Sequence, residues 1–147
     1  MKKTYITNSV LETMTLAENF AKELDKGTII TLDGQLASGK TTFTKGFGLG
    51  LNISDPINSP TFTISKIYEG DYTLVHIDAY RLEGIDQELG FEDFFDEDHM
   101  VIIEWPTYIA HVLPKERIDV SFKVIGENSR EITFTTDSKN IRLENLL

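Results

Sequence analysis

Apolar residues recur at helical spacing near the start of the chain. Val10, Met14, Ala17, Phe20, Ala21 and Leu24 fall on one side of a helix expected over residues 8 to 25, with Gly27 just past its end. The run Thr28-Ile29-Ile30-Thr31-Leu32-Asp33 has no polar alternation and reads as a strand buried on both faces. A glycine-rich segment follows at once, and Thr42-Phe43-Thr44-Lys45-Gly46-Phe47 continues as a second helix expected to end near Gly48 or Gly50. Two prolines, Pro56 and Pro60, mark a loop. Beyond it, residues 62–68 and 72–77 read as strands joined by a turn at Glu69-Gly70-Asp71, short enough for antiparallel pairing. Met100-Val101-Ile102-Ile103 is another buried strand, and residues 107–113 are expected to form a short helix. Residues 117–125 and 130–135 form a hairpin across Gly126-Glu127-Asn128-Ser129, and residues 138–147 a closing helix. With no repeat, low-complexity stretch or linker, residues 1–147 are expected to form one domain.

Charge changes the picture of what the chain can touch. It carries 24 acidic against 14 basic residues, a formal net charge of -10, and so lacks the positive field that sustains nucleic-acid or anionic-membrane binding unaided. Seven acids lie between Asp86 and Asp98, interleaved with Leu89, Phe91, Phe94 and Phe95. That pattern predicts a helix with a solvated acidic face and an aromatic inner face, or a docking surface for a basic partner. The chain has no cysteine, which excludes disulfides, thiolate metal sites and a cysteine nucleophile. Met1-Lys2-Lys3 is followed by polar residues rather than an apolar secretory segment, and no apolar run approaches a membrane span, so a cytoplasmic protein with no membrane partner is expected.

The segment Gly34-Gln35-Leu36-Ala37-Ser38-Gly39-Lys40-Thr41, between a strand and a helix, is a phosphate-binding loop. Gly34 and Gly39 let backbone N–H groups turn toward phosphates, and the helix starting near Lys40 directs its positive end at them. Lys40 supplies charge to the β- and γ-phosphates, Thr41 a hydroxyl to magnesium, and Thr42 continues the loop, so ATP or ADP with magnesium is the expected ligand. Ala37 stands where many such loops carry glycine, and a positive φ there costs a residue with a β-carbon. Such a magnesium site needs a carboxylate at the end of a neighbouring buried strand. Two residues qualify: Asp78, closing Leu74-Val75-His76-Ile77, and Glu104, closing Val101-Ile102-Ile103. One serves the metal and the other positions the attacking water or hydroxyl. Thr61, in Ser59-Pro60-Thr61-Phe62-Thr63, offers a hydroxyl in a segment that is either ordered by the γ-phosphate or a plain proline turn. His76 reads as a satisfied histidine beside its strand, and Tyr80 and Trp105 as core or interface residues. Arg81 places a cation near the site.

These motifs resemble one family closely, the TsaE proteins of bacterial tRNA threonylcarbamoyladenosine synthesis. The likeness rests on Gly34 to Thr42, Ser59-Pro60-Thr61-Phe62-Thr63, His76-Ile77-Asp78-Ala79-Tyr80-Arg81, Glu88-Leu89-Gly90-Phe91-Glu92 and Ile103-Glu104-Trp105-Pro106, in the family's order. It implies an α/β, P-loop NTPase-like fold, with a mixed β-sheet that includes antiparallel strands and is flanked by helices. It also implies magnesium at Thr41 and Glu104 and an essential Asp78; beside it, Lys40 and Thr61 are the other residues expected to act in catalysis. By the same resemblance, Ser9, Val10 and Thr13 border the nucleotide base, and Ser129 and Arg130 reach the nucleotide from the other side. The family's usual loop is Gly-Asp-Leu-Gly-Ala-Gly-Lys-Thr, from which this chain departs at Gln35, Ala37 and Ser38. The implied activity is an ATPase, slow alone, that acts with TsaB and TsaD and meets tRNA only through that complex, hydrolysis resetting the complex between turnovers. A small nucleoside or metabolite kinase is the alternative, since Ala37-Ser38-Gly39-Lys40-Thr41-Thr42 also resembles kinase loops.

Overall fold

The computed structural model describes residues 1–58, 64–83, 90–139, 141 and 143. Seven strands form one sheet: β1 (Lys2–Thr7), β2 (Ile29–Asp33), β3 (Ser65–Glu69), β4 (Thr73–Asp78), β5 (His99–Glu104), β6 (Ile118–Val124) and β7 (Arg130–Thr135). Their order is β1-β7-β6-β2-β5-β4-β3. The central strands β6, β2, β5 and β4 pair in parallel, while β1, β7 and β3 are added antiparallel at the two sides. Two helices, α1 (Val10–Lys22) and α2 (Lys40–Gly50), pack together on one face.

Strand pleating divides the core. Ile30 and Leu32 of β2, Leu74 of β4, and Met100 and Ile102 of β5 meet the helices, joined by Phe20, Phe43 and Phe47. Their neighbours Ile29, Val75, Ile77, Val101 and Ile103 point the other way, against Leu82, Phe91 and Ile109 from 3-10 turns. The functional consequence lies at the strand ends. His76, Asp78 and Glu104 share the helix-facing parity, so the pleat turns all three toward the start of α2.

α1 begins with a reciprocal cap. The Ser9 hydroxyl accepts from the Glu12 N–H at 3.1 Å, and the Glu12 carboxylate accepts from the Asn8 N–H at 3.2 Å. α2 presses close because it is glycine-rich on one side. A β-carbon at Gly46 would meet the Met14 carbonyl oxygen and lie 2.8 Å from its Cα, and one at Gly50 would lie 2.7 Å from the Ala21 β-carbon. The helix ends at Gly50, one of the two glycines expected to end it, and Gly46 and Gly50 form its contact with α1.

Several expectations are corrected. β1 was absent from the pattern because its inward residues are Lys3, Tyr5 and Thr7, with Ile6 exposed; Tyr5 anchors it edge-on against the Phe134 ring. α1 is shorter than residues 8 to 25. In the acidic segment, the described residues 90–98 hold a 3-10 turn (Phe91–Phe94) entered through Gly90 at φ 75°, not an amphipathic α-helix. A left-handed glycine and a dense row of carboxylates both oppose a continuous helix there. Pro106–Val112 is 3-10 rather than α, broken at Ile109. Most of the expected closing helix lies outside the described residues, although Leu143 is buried in the helix-side core. Among the described residues no helix is long and apolar enough to cross a membrane.

Because backbone atoms of α1 occupy the space a side chain would need, Gly46→Ala is expected to lower unfolding free energy by about 1–3 kcal/mol despite alanine's better helix propensity. Gly126→Ala, where a β-carbon would make only ordinary contact with Ser129, should change little. Urea midpoints of the two variants check this.

Candidate functional site

The loop between β2 and α2 is shaped by three local constraints. A β-carbon at Gly34 would lie 2.6 Å from the Ser38 hydroxyl and 3.0 Å from the Phe122 β-carbon, so only glycine fits. Gly39 turns into the helix at φ 107°, and Ala37 adopts φ 61°, the left-handed conformation that costs an alanine about 1–2 kcal/mol. The Ser38 N–H returns to the Gln35 carbonyl at 3.2 Å, closing the loop on itself.

Lys40, first residue of α2, is only 5% exposed, and its ammonium has no hydrogen-bond partner among the described residues. It lies 3.8 Å from the centre of the Trp105 ring. Burial pushes its pKa down from the ordinary lysine range, against the opposing pull of Glu104, Asp78 and Asp33. The Ser38 hydroxyl is likewise buried, with no partner among the described residues. A cation and a hydroxyl without partners among the described residues, set at a helix N-terminus, form a cradle whose chemistry suits an anion carrying several oxygens.

Opposite the cradle stand the two strand-end carboxylates. β4 and β5 pair in register with Asp78 beside Glu104 and His76 beside Ile102. Asp78 accepts from the Tyr80 N–H at 3.0 Å. Burial raises its pKa above the ordinary aspartate range, the Tyr80 hydrogen bond opposing and the Glu104 charge reinforcing the shift. Glu104 is 4% exposed and lies 2.6 Å from Nε2 of the fully buried His76. Trp105, immediately after Glu104, is itself left-handed at φ 57°, which swings its ring over Lys40.

The far wall comes from distant segments. The Arg130 guanidinium donates to the Ala37 carbonyl at 3.2 Å, tying the β6–β7 turn to the phosphate loop. The Ser129 hydroxyl donates to the Asn8 side chain at 2.9 Å, tying that turn to the start of α1, and Thr13 is fixed by a 2.7 Å bond to Thr7. Together these surfaces enclose a cleft of about 330 Å³.

Of the residues singled out from sequence, Ser9, Val10 and Thr13 form one wall of this cleft, and Leu36, Ala37, Gly39, Lys40, Thr41 and Thr42 its floor. Asp78, Glu104 and Arg130 complete it. Gly34, Gln35 and Ser38 shape the loop from behind, and Ser129 braces the turn. Thr61 lies outside the described residues. Sequence reasoning read Trp105 as a core or interface residue and Asn128 only as part of a hairpin turn, whereas both line the cleft. The Glu-Trp-Pro string at a strand end was a signal for the first; an asparagine in a hairpin turn carried none. A magnesium ion fits this donor set: a hydroxyl at Thr41 and a carboxylate at Glu104, both beside the cradle, leave room for phosphate oxygens and water as the remaining ligands.

Comparison with known proteins gives a consistent result. A family model described as threonylcarbamoyl adenosine biosynthesis protein TsaE matches residues 7–132. The tRNA threonylcarbamoyladenosine biosynthesis protein TsaE of Bacillus subtilis is 44% identical over 125 residues, covering 84% of this chain and 79% of the relative. The protein of the same name from Treponema pallidum is 35% identical, covering 87% and 96%. A crystal structure of Bacillus subtilis YdiB superposes with a TM-score of 0.84 at 35% identity, covering 95% of this chain and 88% of that one.

Since Asp78 is held in a setting that disfavours its charge, Asp78→Asn is expected to stabilise the ligand-free protein at neutral pH by on the order of 1 kcal/mol. The sign follows from linkage: the folded state binds the proton more tightly, so wild type loses stability as pH rises from the ordinary aspartate range through the raised pKa. The advantage of the variant should therefore shrink as pH falls through that same window. Paired denaturant titrations at several pH values read it out.

Proposed function

The chain belongs to the TsaE family of threonylcarbamoyl adenosine biosynthesis proteins, and from that premise we propose that it is a magnesium-dependent ATPase working with TsaB- and TsaD-type partners. The observation that carries the reading is the buried, unpartnered Lys40 ammonium at the start of α2, facing two strand-end carboxylates across one cleft. In this reading the loop N–H groups, the Ser38 hydroxyl and Lys40 hold the β- and γ-phosphates, and Val10 and Thr13 border the base. Thr41 and Glu104 hold magnesium, which when bound neutralises charge on the phosphate oxygens. Asp78 accepts a hydrogen bond from water and orients it toward the γ-phosphorus; its raised pKa makes it a better proton acceptor than an ordinary aspartate. ATP and water become ADP and inorganic phosphate.

One feature supports slow turnover alone and a faster rate in the complex, and another supports indirect contact with tRNA. Arg130, the arginine that lines the cleft, is committed to the carbonyls of Gly126, Ser129 and Ala37, which keeps it from spreading over a transferring phosphoryl group. A net charge of -10 disfavours direct contact with tRNA, so the nucleic acid is met through the partners.

Magnesium-dependent hydrolysis by the pure protein is expected to be weak, to rise on adding the two partners and tRNA, and to fall about a hundredfold or more in Asp78→Ala and Glu104→Ala. Partner-independent phosphate transfer to a nucleoside or small alcohol would instead establish a kinase. Trp105 is the chain's single tryptophan. Drawing Lys40 off its ring should give a saturable change in intrinsic fluorescence with ATP, absent in Lys40→Ala.

A further inference from the structure

His76 is fully buried in the sheet, two residues before Asp78 and on the same face, and its only polar contact among the described residues is Nε2 to Glu104 Oε2 at 2.6 Å. The register places it one pleat back from Glu104 on the neighbouring strand, so the imidazole reaches diagonally across to the carboxylate. The direction of the hydrogen bond follows from chemistry. A carboxylate only accepts, so Nε2 carries a proton and donates it; Nδ1 has no partner among the described residues. His76 therefore fixes one oxygen of Glu104 and the plane of the carboxylate.

A histidine is an expensive way to fill this space. Every other inward position before the strand ends is aliphatic: Leu74 on β4, Met100 and Ile102 on β5. Glu104 stands beside Asp78 and near the Lys40 ammonium, and the imidazole reaches it from the neighbouring strand. What the imidazole adds is orientation. A buried carboxylate free to rotate divides its oxygens between Lys40 and any metal; one pinned at Oε2 presents its other oxygen in one direction.

We propose that His76 is a positioning residue for magnesium, holding Glu104 in the orientation in which it ligates the ion. The inference rests on the assignment of Glu104 as metal ligand and adds a residue that acts only through it. The role requires a donor at the place of Nε2, not merely a side chain of suitable volume.

The test compares wild type with His76→Leu, His76→Gln and His76→Asn by calorimetric titration with ATP, first in EDTA and then across a magnesium series. Gln places an amide N–H near the position of Nε2; Leu fills the space without a donor; Asn carries the donor but is too short. ATP affinity in EDTA should be the same in all four, which also verifies folding. The magnesium concentration for half-maximal effect should rise about 10- to 100-fold in the Leu and Asn variants and return close to wild type in the Gln variant. An unchanged midpoint in His76→Leu and His76→Asn would overturn the proposal, as would a Gln variant no better than Asn, because either result reduces His76 to packing. If one variant fails to fold, the contrast between the remaining donor and non-donor decides the matter. Wild-type binding indifferent to magnesium would remove the metal assignment at Glu104 itself, and His76's role with it.

Discussion

A lysine ammonium buried at the beginning of a helix, with no hydrogen-bond acceptor among the described residues, is the constraint around which this protein is arranged. Such a group is unfavourable in isolation, and the fold tolerates it through a diffuse set of compensations. The Trp105 ring offers its negative face, and Glu104, Asp78 and Asp33 supply opposite charge from nearby strand ends. Those acids stand there because β2, β5 and β4 are adjacent and parallel, so their carboxyl ends converge at the edge where α2 begins. The helix dipole adds further positive potential at the same spot rather than relieving it. Anion binding would supply what the ligand-free chain lacks.

The remainder of the architecture keeps that edge in place. The phosphate loop is held from behind by Phe122 and from above by Arg130, both belonging to the hairpin that follows β2 in the sheet order. α2 is pressed into α1 by glycines that exclude any side chain between them, so the helix that begins at Lys40 cannot tilt independently of the one that carries Ser9, Val10 and Thr13. The first strand is also tied down, the Met1 amino group donating to the Thr136 carbonyl at 2.8 Å and β1 closing the sheet beside β7. Residues from five separate stretches therefore share one cleft with little freedom to move apart.

Much of this was legible in the residues. A buried strand, a glycine-bounded loop and a lysine-threonine pair follow each other without interruption, and two apolar runs each end in a single acid, so β2, α2, Asp78 and Glu104 were visible from pattern alone. What escaped depends on contacts between distant segments. β1 carries too few apolar residues to announce itself and exists because Tyr5 meets Phe134. Trp105 looked like packing because nothing local reveals a left-handed backbone at a bulky residue; the turn into Pro106 and the position of Lys40 together explain it. The aromatic-acidic segment resembled an amphipathic helix by spacing, yet its described part is a 3-10 turn, since Gly90 and mutual carboxylate repulsion prevail over periodicity. His76 was read as a satisfied histidine beside its strand; only its Nε2 finds a partner among the described residues, the Glu104 carboxylate one strand away, and that pairing is a fact of register that one strand's sequence cannot contain.

The central claim is that the buried ammonium waits for the phosphates of a nucleotide. A crystal structure of the protein grown with magnesium and a non-hydrolysable ATP analogue tests it most directly. The account predicts the analogue's phosphates along the loop from Gly34 to Thr41, Lys40 lifted off the Trp105 ring onto phosphate oxygens, and the metal between Thr41 and Glu104. An analogue bound elsewhere, or in the cleft with Lys40 still against the indole, would contradict it.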